Sequence, residues 1–321
     1  MEKEISKVIV STSPHIKSNE TVSKIMLSVI ITLLPAVAFS IYLFGTYVLL
    51  MYVVSVATSV ISEYIVVKLR KRPFTLNDLS AVVTGILLVM VLPPKFPIYG
   101  VIIGAFVGIV IGKQIFGGLG HNIFNPALIG RAFLAAAYPV HITTWVAPRI
   151  GKISAVSGAT PLAAMKFGGV VTRNLPLFLG TVGGSVGETS ALLLIVGSIY
   201  LFIKRYIKWQ IPVSIFITVA VLGEIFHLIN PVKYPGPLFH LLSGGLMIGA
   251  LYMATDMVTS PLTGRGCVIF GIGIGTLVIV IRLFGGLPEG VMYSILFMNA
   301  FVPLINRAKP RIFGTEAVHE K

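Results

Sequence analysis

Charge is scarce in this chain. Only 11% of its 321 residues are Asp, Glu, Lys or Arg, while 55% are hydrophobic. A soluble domain carries about 25% charged residues, so the polar surface that a water-soluble fold needs is missing. The mean hydropathy of +0.94 agrees. Acids are the scarcest: 11, against 25 Lys and Arg, for a net charge of +14. Cysteine occurs once, at Cys267, which excludes an internal disulfide and an all-cysteine metal cluster built by this chain alone. That thiol reads as a small packed apolar residue. The opening "MEKEISKVIVSTSPHIKSNETVSK" is polar for too long to read as a signal peptide, so the first apolar segment is expected to stay as a span.

What is there is apolar, in long runs. The fold class expected is an all-α integral membrane protein with about ten transmembrane helices, since a helix needs about 20 apolar residues to cross a bilayer. The candidate spans cover approximately 24–44, 46–67, 79–92, 98–115, 127–138, 190–203, 211–229, 238–253, 267–283 and 291–305. Residues 1–23 form an N-terminal segment, 24–306 the polytopic domain and 307–321 a tail. Several spans are short and end in glycine or proline, which suggests broken helices; these survive at membrane depth only where protein or a wet cavity surrounds them.

The basic residues fall in clusters between apolar runs, which sets membrane orientation and speaks against a nucleic-acid partner. "KLRKRP", "KRYIK" and "RAKPR" share one face if the spans number ten, and that face is expected to be cytoplasmic with both termini. The loop at about 139–176 is then external. It contains Arg149, Lys152, Lys166 and Arg173 and no acid, so these cations are expected to have a local task. The stretch "LFLGTVGGSVGETS" reads either as loop or as a re-entrant piece.

An internal repeat is also visible. "SAVVTGILLVMVLPP", a glycine-rich span and "FGGLGHN" are echoed by "SGGLMIGALYMATDMVTSP", another glycine-rich span and "FGGLPEG". The expected span count makes the two copies inverted, an architecture of transporter-type folds with sites near the repeat interface. Gly104, Gly108 and Gly112, like Gly245 with Gly249 and Gly271 with Gly275, lack the context of a nucleotide loop. Their spacing suits close helix approach instead.

Acids inside a membrane are costly and therefore informative. Glu63, Glu188, Glu224 and Asp256 qualify. Glu188 and Asp256 sit beside hydroxyl residues and near glycine or proline, which makes them candidates for a cation path. His227 and His240 lie at span ends, an ordinary place for histidine, so a haem pair is not favoured and no metal site is expected.

The polar stretch "SGATPL" is unusual in so apolar a chain. Pro161 biases Thr160 towards extended backbone, and Ser157, Gly158 and Ala159 add little bulk, so the hydroxyl is expected to be presented to a modifying enzyme. A phosphate esterified there suits the surrounding Arg149, Lys152, Lys166 and Arg173. Alone, the motif reads better as a plain surface loop.

Taken with "SPHIKSNETVSKIMLSVIITLLPA", "GKQIFGGLGHNIFNPALIGRAF", "GSVGETSALLLIVGSIYL", "MATDMVTSPLTGRG" and "PEGVMYSILFMNAFVPLI", the stretch resembles the family of Rnf electron-transport D subunits. More distantly it is similar to the B subunits of Na+-translocating NADH:quinone reductases. The likeness covers nearly the whole chain, and the "SPHI" block favours the Rnf member. The resemblance implies FMN joined by phosphoester to Thr160 by a separate flavin transferase acting outside the cytoplasm of a prokaryotic cell. It implies a redox-driven pump, active only as a complex, that passes electrons between reduced ferredoxin and NAD while moving Na+ or H+. Partners would be the other membrane and peripheral subunits, a second FMN-carrying subunit among them, and lipid. Quinone-reductase relatives also hold non-covalent riboflavin. The candidate contacts for flavin ring or phosphate are Asn122, Asn125, Arg131 and Glu188 with the four loop cations. The rival reading is a redox-free channel or secondary transporter, which explains the repeat, glycines and acids but not the SGAT stretch.

Overall fold

The computed structural model describes residues 20–71, 76–146, 148 and 159–307, and among these no strand occurs. Most of the N-terminal segment, Arg149, Lys152, Ser157, Gly158 and nearly all of the tail lie outside the described residues.

Thr21 caps α1 (Val22–Phe44) by accepting the Lys24 N–H at 3.3 Å, and Gly45, at φ 88°, ends it and opens α2 (Thr46–Leu69). The buried stripe of α2 includes Ser55, Ser59, Ser62 and Glu63, while Leu49, Leu50, Val53, Ile61 and Ile65 are exposed. Small polar residues inside and large apolar ones outside suit a helix whose outer face meets lipid rather than water. The small inward residues let α3 (Ser80–Met90) come close: Ser55 Oγ donates to the Gly85 carbonyl at 2.8 Å.

α4 (Ile98–Ile109) continues through a π-helical turn, Val110–Gln114, and α5 (Pro126–Ala137) packs along it. The expected role of the glycine row holds here. A Cβ on Gly108 would sit 2.7 Å from the Pro126 carbonyl, and one on Gly130 2.5 Å from that of Gly104. The loop expected at 139–176 contains three short helices, α6 (Pro139–Ile142), α7 (Pro161–Gly168) and the start of α8 (Asn174–Leu179). Proline opens α6 and α7 because its missing N–H is one that the first turn leaves unbonded anyway.

After α8 the chain turns back. The Val186 amide donates to the Leu92 carbonyl at 3.0 Å, and Gly187 lies against Met90, so a short 3-10 turn, Val186–Thr189, closes the end of α3. A broken helix buried in protein needs such partners for its last carbonyls. α9 (Ala191–Ile203) then runs beside α1, and α10 (Gln210–Ile229) follows. The next segment is broken into α11 (Pro237–Leu242), α12 (Leu246–Ile248) and a π-helical turn, Gly249–Met253. α13 (Gly264–Phe284) and α14 (Val291–Ile305) complete the bundle. Cys267 is fully buried.

α1, α2, α10 and α13 are long and apolar enough to cross a bilayer. Five further apolar helices of 10–17 residues lie in segments also expected to span: Ser80–Met90, Ile98–Gln114, Pro126–Ala137, Ala191–Ile203 and Val291–Ile305. The chain is a multi-pass helical membrane protein.

Hydrogen bonds define two ends of the bundle. At one end Arg70 donates to the Gln114 carbonyl, Tyr206 to Glu20 at 2.7 Å, Lys208 to the Pro261 carbonyl at 2.5 Å and the Leu262 amide to Asn306 at 3.0 Å. The described members of the three basic clusters gather there. At the other end Tyr47 donates to the Phe96 carbonyl at 2.9 Å and Arg131 pairs with Glu289. α7 belongs to this second end: Lys166 Nζ donates to the carbonyls of Ile281, Arg282 and Leu287 at 3.2, 2.9 and 2.9 Å.

The α10–α13 contact is the tightest. A Cβ on Gly271 would collide with Ser214 Oγ and fall 2.8 Å from the Ile211 carbonyl. Gly271→Val is therefore expected to destabilise the bundle by about 1–3 kcal/mol through overpacking. Thermal unfolding in detergent checks this; a wild-type melting point would mean the two helices do not pack through Gly271.

Candidate functional site

Thr160 takes the extended backbone expected before proline, φ −63° and ψ 157°, but it is not presented as a bare platform. It is the N-cap of α7: its Oγ accepts the Ala163 amide at 3.2 Å, and the residue is only 2% exposed. Pro161 follows as the first helical residue, so the motif that reads alone as a surface loop is a helix start. Leu162 and Met165 hold α7 down on Leu177 of α8 and Phe239 of α11. Ala159 remains exposed.

Under the first turn of α7 lies a buried cation. Arg282 is 1% exposed and donates to the carbonyls of His240 at 2.5 Å and Ser243 at 2.8 Å. Gly244, at φ 66°, brings the backbone so close that a Cβ would meet Leu162 at 2.5 Å and Arg282 at 3.0 Å. Arg282 Nε, both ring nitrogens of His240 and Ser243 Oγ are buried without partners. Arg282 forms no ion pair among the described residues. Buried polar groups of this kind usually have a partner, so the cluster has capacity for an anion or for water.

The candidate contacts separate. Lys166 places all three N–H groups of its ammonium on carbonyls, and partial burial lowers its pKa below the usual lysine value. Arg173 is exposed at the start of α8. Arg131 lies at the α7 end, paired with Glu289 along a cavity of about 130 Å³ that also touches Trp145, Leu287, Met292 and Tyr293. Glu188 accepts from Ser185 at 2.8 Å and lies within electrostatic reach of Arg131 and Glu289.

Asn122, Asn125 and Asp256 are at the opposite, basic end. They line a cavity of about 70 Å³ with Lys113, Ser80 and Tyr252. Asn125 caps α5 through the amides of Ala127 and Leu128 at 3.0 and 3.3 Å and donates to the Met253 carbonyl at 3.2 Å. Asp256 accepts from Thr259 at 3.1 Å, and Asn122 Oδ1 is buried without a partner. Asp256 and Glu188 thus belong to different sites. Glu224 is exposed on α10, and His227 is tied to the Tyr234 carbonyl at 2.7 Å.

Sequence reasoning passed over Lys113, Arg282 and Glu289. Lys113 is 1% exposed; it pairs with Glu63 Oε1 at 2.7 Å and donates to Ser80 Oγ at 2.5 Å, while Gln114 adds a bond to the same carboxylate oxygen at 2.9 Å. The signal was available: each "FGGL" is preceded within a turn by a cation, Lys113 or Arg282.

The fold and these sites define a polytopic helical membrane protein with buried charge at both ends. Comparison narrows the class. The profile of the "NQR2, RnfD, RnfE family" matches residues 9–314, and the chain belongs to that family. It is 47% identical to the D subunit of the proton-translocating ferredoxin:NAD+ oxidoreductase complex of Clostridium ljungdahlii, over 98% of this chain and 99% of that one. It is 44% identical to the D subunit of the Na+-translocating ferredoxin:NAD+ oxidoreductase complex of Acetobacterium woodii, over 97% of each. The D subunit of the ion-translocating oxidoreductase complex of Stutzerimonas stutzeri is 40% identical over 92% of this chain and 93% of that one.

Removing one member of a buried pair leaves the other uncompensated. Lys113→Met is expected to destabilise the protein by about 3–5 kcal/mol, and Lys113→Met with Glu63→Leu to recover most of the loss. Melting curves of both variants decide; equal loss in single and double variants would show that the two side chains are not coupled.

Proposed function

We propose that this chain is the membrane subunit of an ion-translocating ferredoxin:NAD+ oxidoreductase complex, carrying FMN on Thr160 by a phosphoester, external to the cytoplasm. The observation that carries the reading is the setting of the SGAT threonine. Thr160 opens a helix at the end of the bundle opposite the basic clusters, above a buried arginine that forms no ion pair among the described residues. The basic end is assigned to the cytoplasm by the positive-inside rule.

The residues present fit a phosphoester. A phosphodiester at Thr160 would place its negative charge at the positive end of α7, where the Leu162 and Ala163 amides begin the helix. Arg282 would supply the balancing charge from beneath. Because the Thr160 hydroxyl is buried and capping, the flavin transferase must reach it before α7 docks or with α7 lifted. FMN accepts electrons singly or in pairs, while protein groups orient and tune it. With one cysteine, the chain itself offers little else for a relay.

The cavity of Asn122, Asn125, Lys113 and Asp256 is the place for a non-covalent riboflavin, its orphaned Asn122 Oδ1 being free to accept from a ligand. Asp256 there and Glu188 towards the other end are the acids proposed for the Na+ or H+ path, one near each end of a bundle built on an inverted repeat. Ferredoxin and NAD are assigned to partner subunits, since no dinucleotide fingerprint occurs in the chain.

Intact mass and in-gel fluorescence of the subunit made with its flavin transferase test the reading. The expected wild-type mass includes one FMN phosphoester, lost together with the fluorescence in Thr160→Ala. An unmodified wild-type mass would favour a redox-free transporter.

A further inference from the structure

The cavity between the C-terminal half of α5 and the start of α14 carries chemistry that the proposed attachment does not use. Two of its lining residues bear charge, Arg131 and Glu289, and they are paired through one guanidinium nitrogen and Glu289 Oε2. Glu289 Oε1, the other carboxylate oxygen, is buried and has no partner. A guanidinium has five N–H donors in a fixed fork, so the wall offers donors on one side and an unmet acceptor on the other. The remaining surface includes Trp145, which is 8% exposed, together with Met292 and Tyr293. Aromatic and thioether side chains are suited to the faces and edges of a flat ring.

We propose that the isoalloxazine ring of the flavin on Thr160 docks in this cavity, its pyrimidine edge read by Arg131 and Glu289. The inference rests on the Thr160 reading and adds the ring's seat to it. The pyrimidine edge of a flavin has one N–H between two carbonyls. The N–H matches Glu289 Oε1, and a flanking carbonyl matches Arg131. A quinone has carbonyls but no N–H and leaves Oε1 unmet, which is costly for a buried acceptor.

Position supports the same ligand. Leu287 lines the cavity, and its carbonyl accepts from Lys166 at 2.9 Å. Lys166 lies on the same helix that Thr160 caps, about 9 Å further along at 1.5 Å per residue. A ribityl phosphate chain starting at Thr160 bridges a gap of that order. Glu188 lies within electrostatic reach of both Arg131 and Glu289.

The test uses the full chain made with its transferase, in wild-type, Glu289→Gln and Ala135→Trp forms. Glu289→Gln replaces the unmet acceptor. Ala135→Trp fills the cavity while keeping both Arg131 and Glu289 in the chain, and so keeps the test intact if the first variant folds poorly. Attachment, read by intact mass, is expected to be complete in all three. In Ala135→Trp the native flavin emission should rise to that of free FMN, because the ring leaves Trp145 and Tyr293. In Glu289→Gln the reduced-to-oxidised ratio of the flavin at a fixed potential should change about fivefold, the effect of one net hydrogen bond. Full attachment with emission and redox ratio unchanged in both variants overturns the docking proposal alone. An unmodified wild-type mass overturns the Thr160 reading and the docking with it.

Discussion

Among the described residues two cations, Lys113 and Arg282, lie wholly buried, and the way each is matched governs how its helices end. An uncompensated charge in an apolar slab is among the most expensive groups a protein can hold. Lys113 is matched by Glu63 of α2 and by Ser80 at the start of α3. To bring Lys113 and Gln114 onto the same carboxylate oxygen, the end of α4 widens into a π turn, a local irregularity often found where side chains must be re-aimed. Arg282 is matched differently, by the carbonyls of His240 and Ser243, where the chain breaks between α11 and α12. Each cation thus lies near the end of a glycine-rich helix and fastens it to a broken one.

The correspondence follows the two sequence copies. Ser80 and Ser243 open the copies, and Lys113 and Arg282 precede the two "FGGL" stretches. One fastening lies at the basic end and the other at the α7 end. The difference between them matters as much. Glu63 forms a direct ion pair with Lys113, whereas Arg282 hydrogen-bonds only to carbonyls, has Glu188 and Glu289 within electrostatic reach but in no ion pair, and keeps an unpartnered Nε. The end where the buried cation has no ion pair among the described residues is the end where Thr160 opens α7.

Much of the fold was legible in the sequence, because membrane helices announce themselves through long apolar runs and small-residue spacing. The glycines of α4 and α13 contact α5 and α10 as close helix approach requires. What periodicity did not reveal was the structure of the 139–176 stretch, because α6 to α8 are too short to leave a pattern and begin at prolines or polar residues. The same shortness hid the cap on Thr160: a threonine before proline suits a turn and a helix start equally. Of the polar contacts, Arg131 could be picked out as a candidate, but its partner Glu289 lies 158 residues away. Residues that far apart meet only through the packing of α5 against α14.

The central claim is that Thr160 lies across the membrane from the basic clusters, on the external side. Cysteine labelling tests it most directly, because the chain has one native cysteine and that one is buried. In a Cys267→Ser background, Ala159→Cys should react with a membrane-impermeant maleimide on intact cells, while Lys204→Cys should react only after permeabilisation. The reverse pattern, with Ala159→Cys shielded until the cells are opened, would contradict the account.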